Sequence, residues 1–144
     1  MREKKDTPTP ETLKIKGKIA IAPFEIKDGD SSLVNKIFEI LHTELTEFLE
    51  RNKGIKLVLL ERSQLEKIIR ELKTRNPEDI LKLFQEKAVA DYIILGSIIK
   101  EDGNILICAR IVKIKTGEVI KAAKVNFSEN LVETCRELIK ELFH

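Results

Sequence analysis

The sequence predicts an α/β domain of three layers, a mixed five-stranded sheet of order 2-1-3-4-5 between helices. Three observations carry this prediction. The run "KIAIAPF" at 18–24 is apolar on both faces, as a central strand covered from both sides must be. Up to residue 90, strand-like runs alternate with helical periods, an order that yields parallel strands joined by right-handed helical crossovers. From residue 91 the period becomes that of strands, broken only at Asp102-Gly103 and Thr116-Gly117. Such short glycine-containing turns favour antiparallel hairpins, so the last three strands form a meander and strand 4 is antiparallel.

Each element has its own reason. Residues 1–16, with "DTPTPETLK", carry too little apolar surface to order themselves and read as a Thr/Pro tether; the domain is placed at 17–144. Pro23 closes the first strand. A helix over 33–51 follows from Val34, Ile37, Leu41, Leu45 and Phe48, spaced at three and four. Gly54 ends it through a left-handed turn, and "IKLVLL" at 55–60 is the second strand. Ser63 followed by Glu66 has the spacing of a capping box for the next helix. Asn76 as cap, Pro77 at the first helical position and Glu78 and Asp79 in the first turn open another helix, with Ile80, Leu81, Phe84 and Ala88 inward. Strands at 91–101, 104–115 and 118–127 precede a last helix at 130–143 that turns Leu131, Cys135, Leu138 and Leu142 inward.

Composition excludes several functions. Of 144 residues 26 are basic and 24 acidic, and a net charge of +2 gives no strong pull toward nucleic acid or an acidic membrane. Without tryptophan and with one tyrosine, the chain lacks stacking platforms for single strands. No apolar run reaches the length of a membrane helix, and the N-terminus lacks the apolar core of a secretory signal. The Lys-, Glu- and Ile-rich composition leans toward a thermophile. Cys108 and Cys135 form no CxxC pair, and Cys135 reads as a buried small hydrophobe.

Reactive groups are sparse. His42 and His144 have no Cys, His or carboxylate at ligand spacing, so no zinc site and no cofactor is expected. Glycine-rich phosphate loops and the nucleophile elbow are absent from the sequence. The weak candidate for a small ligand is the loop with Asp28, Gly29, Asp30 and Ser31, between a strand end and a helix start. Its carboxylates would repel phosphate, and a cation needs more oxygen ligands than it shows, so a turn capping the helix is the preferred reading. Lys113, Lys115, Lys121 and Lys124, interleaved with acids, read as a solvated sheet face. Arg110 shares a strand face with Leu106, Cys108, Val112 and Ile114, so it needs a carboxylate, with Asp91, Glu61 or Glu118 as choices, or a path to solvent.

Three blocks, "LLERSQLEKIIREL", "ADYIILGSII" and "ARIVKIKTGEVI", occur in the order of the CsgG-type family, and the chain resembles that family over about 18–127. The family takes in the curli-secretion lipoprotein, the flagellar outer-membrane lipoprotein FlgO and the LpoB activator of a penicillin-binding protein. Glu61, Arg62, Asp91, Gly96, Ser97, Arg110, Thr116, Gly117 and Glu118 occupy its motif places, as scaffold or partner-binding residues. The related TolB N-terminal domain, of anticodon-binding-like fold, shares the predicted sheet order. The resemblance implies a non-catalytic domain of the periplasm or outer membrane, its leader removed, that binds protein partners and can self-assemble. It implies no enzyme and no nucleic acid. Two departures matter. The tight turn "EDGN" at 101–104 has no room for the curli protein's membrane-spanning hairpin, so no pore is expected. The lipid-carrying cysteine is also missing, so either the leader was removed or this is a non-lipidated branch, and a membrane is expected only through a lipid anchor absent from this chain. The competing reading is a cytoplasmic nucleotide- or nucleic-acid-binding module using the carboxyl end of the sheet near Phe24–Ser32 and Arg62.

Overall fold

The computed structural model describes residues 13–26, 31–72 and 76–144. Its elements run β1 (Lys16–Ile21), β2 (Glu25–Ile26), α1 (Ser31–Arg51), β3 (Lys56–Leu59), α2 (Arg62–Ile69), α3 (Pro77–Lys87), β4 (Tyr92–Glu101), β5 (Asn104–Lys113), β6 (Val119–Asn126) and α4 (Leu131–Phe143). The sheet order is β3-β1-β4-β5-β6, which is the predicted 2-1-3-4-5 once β2 is set aside. β1 is parallel to β3 and β4, and β5 is antiparallel to β4 and β6.

β2 was not legible beforehand. β1 pairs with β4 as far as Ile21 opposite Ile94, and β2 resumes with Glu25 opposite Ser97. Pro23 sits in the gap, where the register slips, since the stretch from Ile21 to Glu25 is one residue longer than the stretch from Ile94 to Ser97 that it faces. Phe24 fills the space so left.

Same-handed crossovers that travel in opposite directions from β1 to β3 and from β3 to β4 place α1 on one face and α2 and α3 on the other. Burial of Ile19, Ala20 and Ile21 to within 1% of complete agrees with cover on both faces. α4 lies beside α1, where Phe48 and Phe143 meet with ring centroids 5.6 Å apart, and covers Ile107, Ala109, Ile111 and Val125. On the second face α3 brings Ile80 and Phe84 over Ile93, Leu95 and Val112. The rest of that face, from Ser97 and Ile99 through Leu106, Cys108 and Arg110 to Lys124, is half-buried or exposed.

Several local expectations need correction. α2 begins one residue before the presumed cap: Glu61 is the N-cap, without a side-chain cap bond, and Ser63 lies inside the first turn, so no capping box forms. Gly54 has no positive φ. Asn52 ends α1 instead, its backbone and side-chain N–H groups both donating to the Phe48 carbonyl. Ala88 is exposed and serves as the left-handed cap of α3, with φ of 52°. The lysines read as a solvated sheet face divide between two faces, since Lys121 pairs across from Ile111 and Lys124 from Cys108.

Other local readings hold. Asn76 accepts the Glu78 N–H at 2.8 Å at the start of α3. Asp102 and Gly103, with φ of 49° and 80°, form the β4–β5 turn in the left-handed geometry that hairpins prefer. Cys108 and Cys135 are both free. Burial, with Glu44 nearby, pushes the Cys135 thiol up to about 12. In native protein a thiol reagent is expected to titrate Cys108 alone, and both cysteines once urea unfolds the chain; rapid modification of Cys135 without unfolding would contradict this packing.

Candidate docking groove beside the edge strand

An open groove of about 1000 Å³ lies between α1 and the outer edge of β3 and continues to the start of α2. Its construction follows from the order of the chain. Among the described residues β3 has only β1 as neighbour. In a parallel ladder successive residues point their N–H and C=O groups to alternate sides. Leu60 donates to the Ile19 carbonyl at 2.7 Å, so Val58 and Leu60 address β1 while Leu57 and Leu59 turn their backbone groups outward. Leu57 and Leu59 line the groove, with Thr43, Thr46 and Leu49 of α1 opposite.

His42 lines the groove at the position where α1 meets α2. It is 8% exposed, and its Nδ1 lies 2.9 Å from the Phe38 carbonyl. A carbonyl only accepts, so Nδ1 carries the proton, and a neutral ring then bears its lone pair on Nε2. Nε2 is buried and has no hydrogen-bond partner among the described residues. Burial holds the ring's pKa below its ordinary 6.5, opposed by the Phe38 bond and assisted by the charge of Arg62. In the unfolded chain the ring takes up its proton first. This component of stability is therefore full above pH 6.5, falls as pH drops from there toward the lowered native value, and then levels off. His42→Phe is expected to flatten the melting temperature between pH 7 and pH 5 relative to the parent chain. An unchanged slope would show that the ring is not held neutral.

Arg62 closes one end. Its Nη2 donates to Glu39 at 3.0 Å and its Nε to Glu66 at 3.1 Å, and the guanidinium lies over the Phe38 ring, 5.5 Å from the centroid. The Glu39 bond first, then Glu66, raises its pKa. With two carboxylates on it, Arg62 is poorly placed to bind phosphate.

The residues marked in the sequence are not gathered at one place. Glu61 and Arg62 border the groove. Asp91 lies at the head of β4, where Oδ2 accepts the Lys18 N–H at 2.8 Å. Gly96 faces Phe24, and Ser97 is half-buried opposite Cys108. Arg110 is half-buried and, among the described residues, pairs with none of Asp91, Glu61 or Glu118; it takes the path to solvent over the uncovered sheet face. Thr116, Gly117 and Glu118 make the β5–β6 turn, in which the Thr116 hydroxyl accepts the Glu118 N–H at 3.2 Å. Asp28, Gly29 and Asp30 lie outside the described residues, as does the Ser31 side chain. Among the described residues, no three His, Cys, Asp or Glu stand where they could hold a metal ion.

The sequence showed His42 only as a histidine without a metal ligand at spacing. The groove itself needs three elements at once.

A short parallel half-sheet continued by an antiparallel meander defines the class, a mixed-sheet α/β domain whose fold is shared by lipoprotein GNA1162 and by part of TolB. The sequence model of the FlgO protein family matches residues 69–132. Lipoprotein GNA1162 from Neisseria meningitidis superposes with a TM-score of 0.58 at 16% identity, over 78% of this chain and 81% of that one. The LpoB C-terminal domain from Escherichia coli gives 0.53 at 14% identity, over 81% and 86% of the two chains. TolB from Acinetobacter baumannii gives 0.52 at 13%, with 91% of this chain matched to 29% of TolB. At such identities the likeness is one of fold. No curated protein matches the chain in sequence.

Proposed function

We propose that the chain is a non-catalytic cell-envelope domain of CsgG type, periplasmic and associated with the outer membrane. In this reading it binds protein partners in envelope or appendage assembly and forms no pore. The observation that carries the reading is the FlgO match over 69–132, which takes in Asp91, Gly96, Ser97, Arg110, Thr116, Gly117 and Glu118. The fold likeness to lipoproteins and the two-residue β4–β5 turn support it. The motif residues then act by shaping the sheet, and partner contact falls to the surfaces left open around it.

Fractionation of cells carrying the natural gene tests this reading. The product is expected in the envelope fraction, released by detergent if an anchor precedes the domain, and cross-linked there to another protein. ATP and an oligothymidine strand are expected to leave the Arg62 side-chain signals of labelled protein unshifted. A cytoplasmic product, or saturable nucleotide binding at Arg62, would overturn the assignment.

A further inference from the structure

We infer that the α1–β3 groove is a strand-addition site, which receives an extended, basic, hydroxyl-bearing segment of another protein alongside Leu57 and Leu59. The inference rests on the partner-binding reading above and names where and how that binding occurs.

Three independent features converge on this occupant. The first is the outer edge. The outward N–H and C=O groups of Leu57 and Leu59 bond to nothing among the described residues, and an extended chain is the ligand that satisfies such a row. Natural edges are commonly blunted by charge or proline; β3 carries one charge, Lys56 at its start, while Leu57, Val58 and Leu59 beyond it are apolar, with Val58 64% exposed.

The second is His42. A buried Nε2 lone pair without a donor among the described residues is costly, and a hydroxyl or N–H from an occupant would satisfy it once a small shift of the neighbouring side chains uncovered the atom. Because Nδ1 is committed to Phe38, the ring accepts rather than donates, so the occupant must bring the proton. Threonine or serine does so from a side chain turned toward α1, the side on which Leu57 and Leu59 also lie. A metal is a poorer occupant, since no second and third ligand gather there among the described residues.

The third is charge. Glu39, Glu47, Glu50 and Glu61 line the groove against Lys53 and Arg62, and Glu39 already holds Arg62. The surplus is acidic and favours lysine or arginine flanking the added strand.

The test uses the purified full chain, labelled with nitrogen-15, and a capped peptide of alternating valine and threonine with lysine at each end. Binding is expected to shift the Leu57 and Leu59 amides and slow their exchange, with Val58, already bonded to β1, little changed. It should also move the His42 Nε2 resonance. Exchanging the terminal lysines for glutamates is expected to weaken binding about ten-fold, and His42→Phe about five-fold, the size of one hydrogen bond. N-methylating one alternating set of peptide amides should abolish binding while the other set is tolerated, because only every second amide faces β3. Equal loss from both sets, or no response at Leu57 and Leu59, overturns the inference. So does tighter binding after removal of residues 1–12, which would assign the groove to the chain's own tether, or a dimer in sedimentation whose β3 amides are protected without peptide.

Photo-cross-linkers in place of Val58 and of Lys124, on the full chain in cells, separate this inference from the reading it rests on. An envelope partner captured from Lys124 but never from Val58 overturns the groove and leaves the envelope role standing. Peptide binding by a protein that fractionates with the cytoplasm does the reverse.

Discussion

Gly96→Val is expected to cost about 3 kcal/mol or more, seen as a fall in both the melting temperature and the urea midpoint. A Cβ at Gly96 would stand 2.5 Å from both Cε2 and Cζ of Phe24 and 2.6 Å from the Cys108 carbonyl oxygen. Neither neighbour can retreat cheaply. Phe24 is 2% exposed and wedged where the β1–β4 ladder is interrupted. The Cys108 carbonyl belongs to the backbone of β5, fixed in the long β4–β5 ladder. The alanine variant places the same Cβ and is expected to lose about 2 kcal/mol, valine adding the bulk of two methyl groups. Phe24→Leu combined with Gly96→Ala should recover part of that loss and not all of it, because the carbonyl contact remains. Gly96→Ala within about 0.5 kcal/mol of the parent chain would refute the close approach.

That glycine shows what could and could not be read from the chain. "ADYIILGSII" announced a strand with a break in its side-chain pattern, and a close neighbour was the natural inference. That the neighbour is the ring of Phe24, and that β2 resumes pairing two residues after Pro23, depends on contacts more than 70 residues apart in sequence. The sheet order was legible because its determinants are local: an apolar central run, helical periods between parallel strands, and Asp102-Gly103 and Thr116-Gly117 as turns. Helix ends were less so. Ser63 and Glu66 keep a capping spacing whether the helix starts at Ser63 or before it, and the actual start at Arg62 puts Glu66 to other use, holding Arg62 one turn away.

The candidate groove was hardly legible at all. Arg62 and Glu66 are four apart, but Arg62 and Glu39 are 23 apart and meet only through the crossover. His42 needed Phe38 one turn back to fix its tautomer and tertiary cover to isolate its other nitrogen. Edge exposure of Leu57 and Leu59 is a property of the whole sheet. A run such as "IKLVLL" would read alike at the centre.

Gly17→Ala is expected to lose about 3 kcal/mol, through a different kind of crowding. Gly17 sits in β1 with φ of 124°, a conformation open to glycine and strained for alanine. The added Cβ would also run into the Asp91 carboxylate. Asp91 is not idle there. Its Oδ2 accepts the Lys18 N–H at 2.8 Å, its own N–H donates to the Lys18 carbonyl at 2.8 Å, and its carbonyl accepts the Ile114 N–H at 3.0 Å. One residue thereby ties the entry of β4 to β1 on one side and to the end of β5 on the other. Asp91→Ala should cost about 1 to 2 kcal/mol by orphaning the Lys18 N–H, and Asp91→Asn less, since an amide oxygen can still accept.

The double variant separates the causes. Removing the carboxylate takes away the obstacle but leaves the backbone strain, so Gly17→Ala with Asp91→Ala is expected to be less destabilised than the sum of the singles by about 1 kcal/mol. Strict additivity would mean that strain at Gly17 acts alone and that the contact with Asp91 is relieved by a small turn of its side chain. A double variant as stable as Asp91→Ala would mean the opposite, that the φ of Gly17 costs nothing once the carboxylate is gone.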